Sequence, residues 1–102
     1  MELFVRPQFY EDIAEEVEWL ARRAGPALAE RWHAELDETI QQLLRHPYLG
    51  RERPDLNPPG IRSWRVNEFP RWLIFYGVGE SALILFRVRY GTMNLLTLEI
   101  EN

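Results

Sequence analysis

Residues 61–90 read IRSWRVNEFPRWLIFYGVGESALILFRVRY, and this stretch decides the fold. Aromatic, aliphatic and β-branched residues fill it, broken at Asn67-Glu68 with Pro70 and again at Gly79-Glu80-Ser81. That pattern spells three strands joined by short turns. Side chains alternate across a strand. The last segment therefore sets Ile84, Phe86, Val88 and Tyr90 against Leu83, Leu85, Arg87 and Arg89. The middle one sets Trp72, Ile74, Tyr76 and Val78 against Arg71, Leu73 and Phe75, and the first sets Arg62, Trp64 and Val66 against Ile61, Ser63 and Arg65. One face is expected to be core. The other is expected to carry Arg65, Arg71, Arg87 and Arg89 among aliphatic side chains, and any binding function is expected there.

Upstream, ELFVR at residues 2–6 is a short strand candidate, and Pro7 suits the first position of a helix. Phe9, Ile13, Val17, Leu20 and Ala24 then recur at helical spacing, widened by Tyr10, Ala14 and Ala21. Glu11, Asp12, Glu15, Glu16 and Glu18 fill the remainder, which reads as a solvated face with an acidic first turn favourable to the helix dipole. Gly25-Pro26 ends this helix and starts another, in which Ala29, Trp32, Leu36, Ile40 and Leu43 repeat at three and four as far as Arg45. Two amphipathic helices so closely joined must fold back as an antiparallel hairpin, their stripes toward the apolar side of the sheet. His33 falls on the outer side, and His46 reads as a cation at the second helix end.

Residues 46–60 hold four of the seven prolines and two glycines, a rigid connection that is long by loop standards. At the far end Leu96, Leu98 and Ile100 alternate with Thr97, Glu99 and Glu101, a strand pattern able to close a sheet edge or pair with a second chain. The expectation is one α+β domain over residues 1–102, ordered β-α-α-β-β-β. The helical hairpin packs on one face of a mainly antiparallel sheet.

The absence of cysteine excludes disulfides and thiolate chemistry. His33 and His46 lack ligand-like spacing, so a metal site has little support, and no cofactor is expected. Met1 to Pro7 does not resemble a signal peptide, and the apolar runs fall far short of a membrane helix. A cytoplasmic protein without membrane contact is expected. Residues 1–60 carry seven Arg against twelve Asp/Glu, whereas residues 61–102 carry five Arg against four Glu. All twelve cations are arginine, which favours bidentate recognition of phosphate or carboxylate; compositional bias explains it equally well.

The element order, with three stretches, resembles the RelE/ParE toxin superfamily of type II toxin–antitoxin pairs. AERWHAELDETIQQLLRHPYLGR at residues 29–51 is similar to the family's second helix and its Pro-x-x-Gly-Arg exit. IRSWRVNEFPRWLIFYGV at 61–78 is similar to the Arg-bearing strand and following hairpin strand, and LFRVRYGTMNL at 85–95 resembles the terminal segment. The departures separate the branches. Where the mRNA-cleaving branch has arginine before Ile-Phe-Tyr, this chain has Leu73; Met93, Tyr90 and Asn94 stand for its terminal arginine, histidine and aspartate. Only Arg65 matches a basic position of that branch. Arginine stays protonated and makes a poor base, so nuclease chemistry is disfavoured.

The resemblance therefore implies the ParE-like branch, whose members inhibit growth by binding DNA gyrase without chemistry of their own and are neutralised by a cognate antitoxin. On that footing Arg65, Arg71, Arg87 and Arg89 are the candidate target-binding residues, weighed evenly against a solvated face of snorkelling side chains. Trp19, Trp32, Leu96, Leu98 and Ile100 are the candidate antitoxin contacts, by helix-in-groove and strand-addition recognition. A homodimer through the C-terminal edge is a further possibility. Two alternatives stand beside this: a RelE-like ribosome-dependent mRNA endonuclease, and a degenerate toxin fold kept as a non-toxic binding module.

Overall fold

The structure, a computed structural model, describes residues 1–91, 98 and 100. Its elements are β1 (Glu2–Val5), α1 (Pro7–Ala24), α2 (Pro26–Arg45), β2 (Arg51–Glu52), β3 (Arg62–Val66), β4 (Phe69–Val78) and β5 (Ala82–Tyr90). Both helices open on proline, where the missing N–H has no intrahelical partner to lose. Gly25 alone separates them at φ 96°, a conformation that side-chain-bearing residues rarely adopt. The first turn of α1, from Pro7 on, holds no acid; Glu11 and Asp12 come one turn later, against expectation.

The strands form one sheet in the order β1-β5-β4-β3-β2. β1 runs parallel to β5 and every other pair is antiparallel. The expected α+β arrangement is what the structure shows, with the two-residue β2 as an addition on the β3 edge. α1 and α2 cover one face. Between them and the sheet lie Phe9, Leu20, Trp32, Leu36 and Leu43 from the helices, with Ile74, Tyr76, Leu83, Leu85 and Val88 from the strands. At roughly 1.5–3 kcal/mol for each large apolar side chain fully buried, this layer supplies most of the driving force.

The last strand departs from strict alternation. Phe75 lies opposite Arg87 and Tyr76 opposite Leu85, which leaves Phe86 as the extra residue of a β-bulge. Side chains before the bulge are re-phased by one residue. Leu83 and Leu85 thus join Val88 and Tyr90 on the helix side, and Ile84 and Phe86 turn to the other face. Pure alternation had placed Leu83 and Leu85 on the second face with Arg87.

The proline-rich connection is tied down from the core side. The Tyr76 hydroxyl donates to the Pro47 carbonyl and accepts from the Gly50 amide, both at 2.8 Å. A Cβ at Gly50 would fall 2.5 Å from that hydroxyl and 2.7 Å from the Ser63 carbonyl, so the chain can pass there only as glycine.

Candidate functional site

The second face divides along its length. At one end Leu56, Ile61, Phe75 and Phe86 form a small apolar cluster, joined by Leu73, Ile84, Leu98 and Ile100. Toward the other end the same strands change chemistry. Ile61 and Ser63 give way to Arg65, Phe75 and Leu73 give way to Arg71, and Phe86 gives way to Arg87 and Arg89. Register fixes the row: Leu73 lies opposite Arg65 on one side and opposite Arg89 on the other. The arginines are therefore confined to one end of this face, because Leu56 and Ile61 of the connection, with Leu98 and Ile100, join the apolar cluster at the other.

The four candidate arginines differ in state. Arg65 is exposed and stacks on the Trp64 ring at 4.4 Å. Arg71, also exposed, donates to the Tyr90 hydroxyl at 3.3 Å, which raises its pKa and keeps it charged. Tyr90 sits edge-on against Trp72 in the helix-side core, so its hydroxyl reaches this end from the other side of the sheet. Arg87 and Arg89 are engaged elsewhere. β1 accompanies β5 only as far as Leu85, where the Arg6 amide makes the final bond, and beyond that point α1 runs beside β5. Asp12 of α1 takes the place of the missing strand. Its carboxylate accepts from the Val88 amide at 3.1 Å, from Arg87 Nε and Nη2 at 2.7 and 2.9 Å, and from Arg89 Nη1 at 3.2 Å. Arg89 also reaches Glu15 at 3.1 Å.

Asp12 is 2% exposed, so one expected member of a solvated acidic face is in fact the hub of an ionic cluster. Glu16 is another exception. It accepts from the Trp72 indole N–H at 2.9 Å, and burial raises its pKa above the ordinary 4.5 despite that bond and nearby Arg89. The sign follows from linkage. A carboxyl whose folded pKa lies above its unfolded value binds its proton more tightly in the folded chain, so its stabilising contribution is present below about pH 4.5 and lost as pH rises through the folded value. Glu16→Gln keeps an acceptor for the indole and removes the desolvated charge. It is expected to raise the thermal midpoint at pH 7, with the gain shrinking toward zero below pH 4.5; a gain independent of pH in calorimetry would refute that cause.

A different surface is concave. β1, α1 and α2 enclose an open apolar groove of about 810 Å³, lined by Leu3, Val5, Phe9, Tyr10, Ile13, Ala14, Val17, Ile40 and Leu85, with His33, Asp37 and Gln41 among its polar wall. Leu3 and Tyr10 are 39% and 61% exposed there, and large apolar side chains left open at a groove mark an interaction surface. The residues expected at an antitoxin contact fall elsewhere. Trp32 has no exposed surface and belongs to the core, edge-on to Trp72. Trp19 is exposed, beneath the Arg23 guanidinium, but does not line the groove. Leu98 and Ile100 have no strand conformation and pack on the second-face cluster; Leu96 lies outside the described residues, as does most of the edge proposed for a homodimer. Tyr10 was visible in the sequence only as an unusual width of the first helical stripe.

Comparison with known proteins places these surfaces in context. Residues 3–95 match the family model described as the ParE toxin of the type II toxin–antitoxin system, parDE. Over 60 residues the chain is 32% identical to Toxin ParE3 of Caulobacter vibrioides, a match taking in 59% of this chain and only 56% of that protein. In fold it is similar to a chain of the solved structure of the chromosomal ParDE TA system from P. aeruginosa. The TM-score is 0.74 and identity 18%, covering 88% of this chain and 95% of the other.

Proposed function

Since this chain belongs to the ParE toxin family of type II toxin–antitoxin systems, we propose that it inhibits growth by binding DNA gyrase through the basic end of its second face. We further propose that a cognate antitoxin silences it by laying an amphipathic helix along the α1–α2–β1 groove. The observation that carries the first part is the transverse row Arg65–Leu73–Arg89, extended by Arg71. Guanidinium groups held on a β-ladder grip anionic or carboxylate surfaces, yet stay protonated and cannot serve as a base. Such a row supports binding rather than bond cleavage. Arg87 and Arg89 are balanced by Asp12 and Glu15, so the contact falls to Arg65 and Arg71, which remain exposed. For the antitoxin, the groove has the apolar lining and open shape that helix-in-groove recognition uses.

The test is a supercoiling assay with purified gyrase. Inhibition, or a stabilised cleavage complex, is expected with the unaltered chain, and relief is expected on adding its cognate antitoxin. The double variant Arg65→Gln/Arg71→Gln is expected to lose at least about tenfold in potency, the scale of a charge-assisted contact. Unchanged supercoiling at every protein concentration would overturn the gyrase assignment. Cuts in mRNA in a translating extract would move the target to the ribosome.

A further inference from the structure

We propose that a second, smaller cleft on the β2–β3 edge binds a carboxylate side chain from an acidic segment of a partner protein. The cleft, about 250 Å³, is lined by Leu49, Arg51, Arg53, Ser63, Arg65 and Leu73, with the Trp64 ring at its wall. Three strands of evidence from the molecule meet here. The first is charge. Arg53 is 6% exposed and Ser63 5%, so they form the buried floor, whereas Arg51 and Arg65 stand exposed at the rim.

The second is how the local acids are used. Asp55 takes Arg53 in a two-bond fork, Oδ1 from Nε at 3.0 Å and Oδ2 from Nη2 at 2.8 Å. Glu52 bonds to Arg62 instead. Among the described residues no carboxylate forms an ion pair with Arg51 or Arg65. The floor cation is thus neutralised and fixed, while among the described residues Arg51 shares only the longer-range field of Asp55 and Arg65 has no ion pair, on a chain whose net charge is −4. The third is preorganisation. Arg53 is clamped further by Ser63 Oγ at 3.2 Å and by the Phe75 ring at 5.7 Å, and Arg65 is stacked on Trp64, so the floor and one of the two rim cations have little side-chain freedom left to lose on binding.

Size and lining decide the ligand class. Leu49 and Leu73 make the walls apolar, and the volume suits one side chain rather than a run of nucleotides. A polyanion would also meet Glu52 and Asp55 beside the site and the acidic balance of the whole chain. A carboxylate spaced by aliphatic neighbours meets much less of that opposition, and its plane matches a guanidinium fork.

The cleft goes beyond the gyrase reading and does not rest on it, because the test uses the isolated full chain and a defined peptide. The arginine Nε–Hε signals of the ¹⁵N-labelled protein are followed by NMR during titration with a blocked tetrapeptide alternating glutamate and leucine. Its glutamine counterpart, inorganic phosphate and a single-stranded oligonucleotide serve as separate titrants. Saturable shifts at Arg51 and Arg65 are expected with the glutamate peptide, and Arg51→Gln and Arg65→Gln should each weaken it about tenfold. Both positions are exposed, so the variants keep the fold. The absence of shifts, an equal response to the glutamine peptide, or tighter binding of phosphate or oligonucleotide would each overturn the proposal. Arg65 belongs to both surfaces, so the separating variant is Arg51→Gln, expected to lose peptide binding with gyrase inhibition intact; full peptide binding in that variant would overturn the cleft.

Discussion

Asp12→Ala is expected to destabilise the folded chain by about 3–5 kcal/mol, the cost of breaking a buried pair from one side. Three groups lose this acceptor together: the Val88 amide, the Arg87 guanidinium and one arm of Arg89. Arg87 is largely buried, and a guanidinium stays protonated on its own account, so the charge left behind does not discharge by losing its proton. Against a total stability of about 5–15 kcal/mol for a domain, the loss is large enough to move urea and thermal midpoints plainly. Adding Arg87→Met to the same chain should restore part of it, because the buried charge that Asp12 balanced goes too. A midpoint unchanged by Asp12→Ala would mean that the β5 edge is held by something other than this carboxylate.

Trp32→Ala should cost a similar amount, about 3–5 kcal/mol, for a different reason. The side chain has no exposed surface and meets Trp72 edge-on at 6.2 Å, so truncation leaves a cavity under the centre of the sheet. Denaturant unfolding would show a lower midpoint with an unchanged slope. The milder Trp32→Phe keeps the fold and provides the control: antitoxin affinity should stay as it was, since a residue without surface touches no partner. Reduced affinity in that variant would show that the core opens on binding.

Much of the architecture could be read from residue spacing alone. The two helical stripes gave the hairpin because each repeats at three and four without a break, and Gly25-Pro26 marks the hinge between them. The strands of residues 61–90 followed from their turns. Strict alternation failed at Phe86, since a bulge inserts one residue whose only trace is in the partner strand's register. Asp12 looked like its exposed neighbours Glu11 and Glu15, because helical periodicity says which side a residue is on but not what ends beside it. Its burial arises from β1 stopping at Val5, a tertiary event with no local signature. The same limit hid the Arg51–Arg53–Arg65 cleft, whose members come together only when β2 pairs with β3.

The parallel pairing of β1 with β5 has a consequence for biosynthesis. Glu2 sits opposite Ala82 and Val5 opposite Leu85, so β1 must wait until a strand far downstream has left the ribosome before it can dock. Contacts so distant along the chain form only after the intervening loop entropy has been overcome. Until then the greasy sides of both helices stay uncovered, which makes the nascent polypeptide a client for chaperones. Products truncated before residue 82 would lack both the seat of α1 and the mate of β1, and should be cleared by proteolysis rather than persist as partly folded chains.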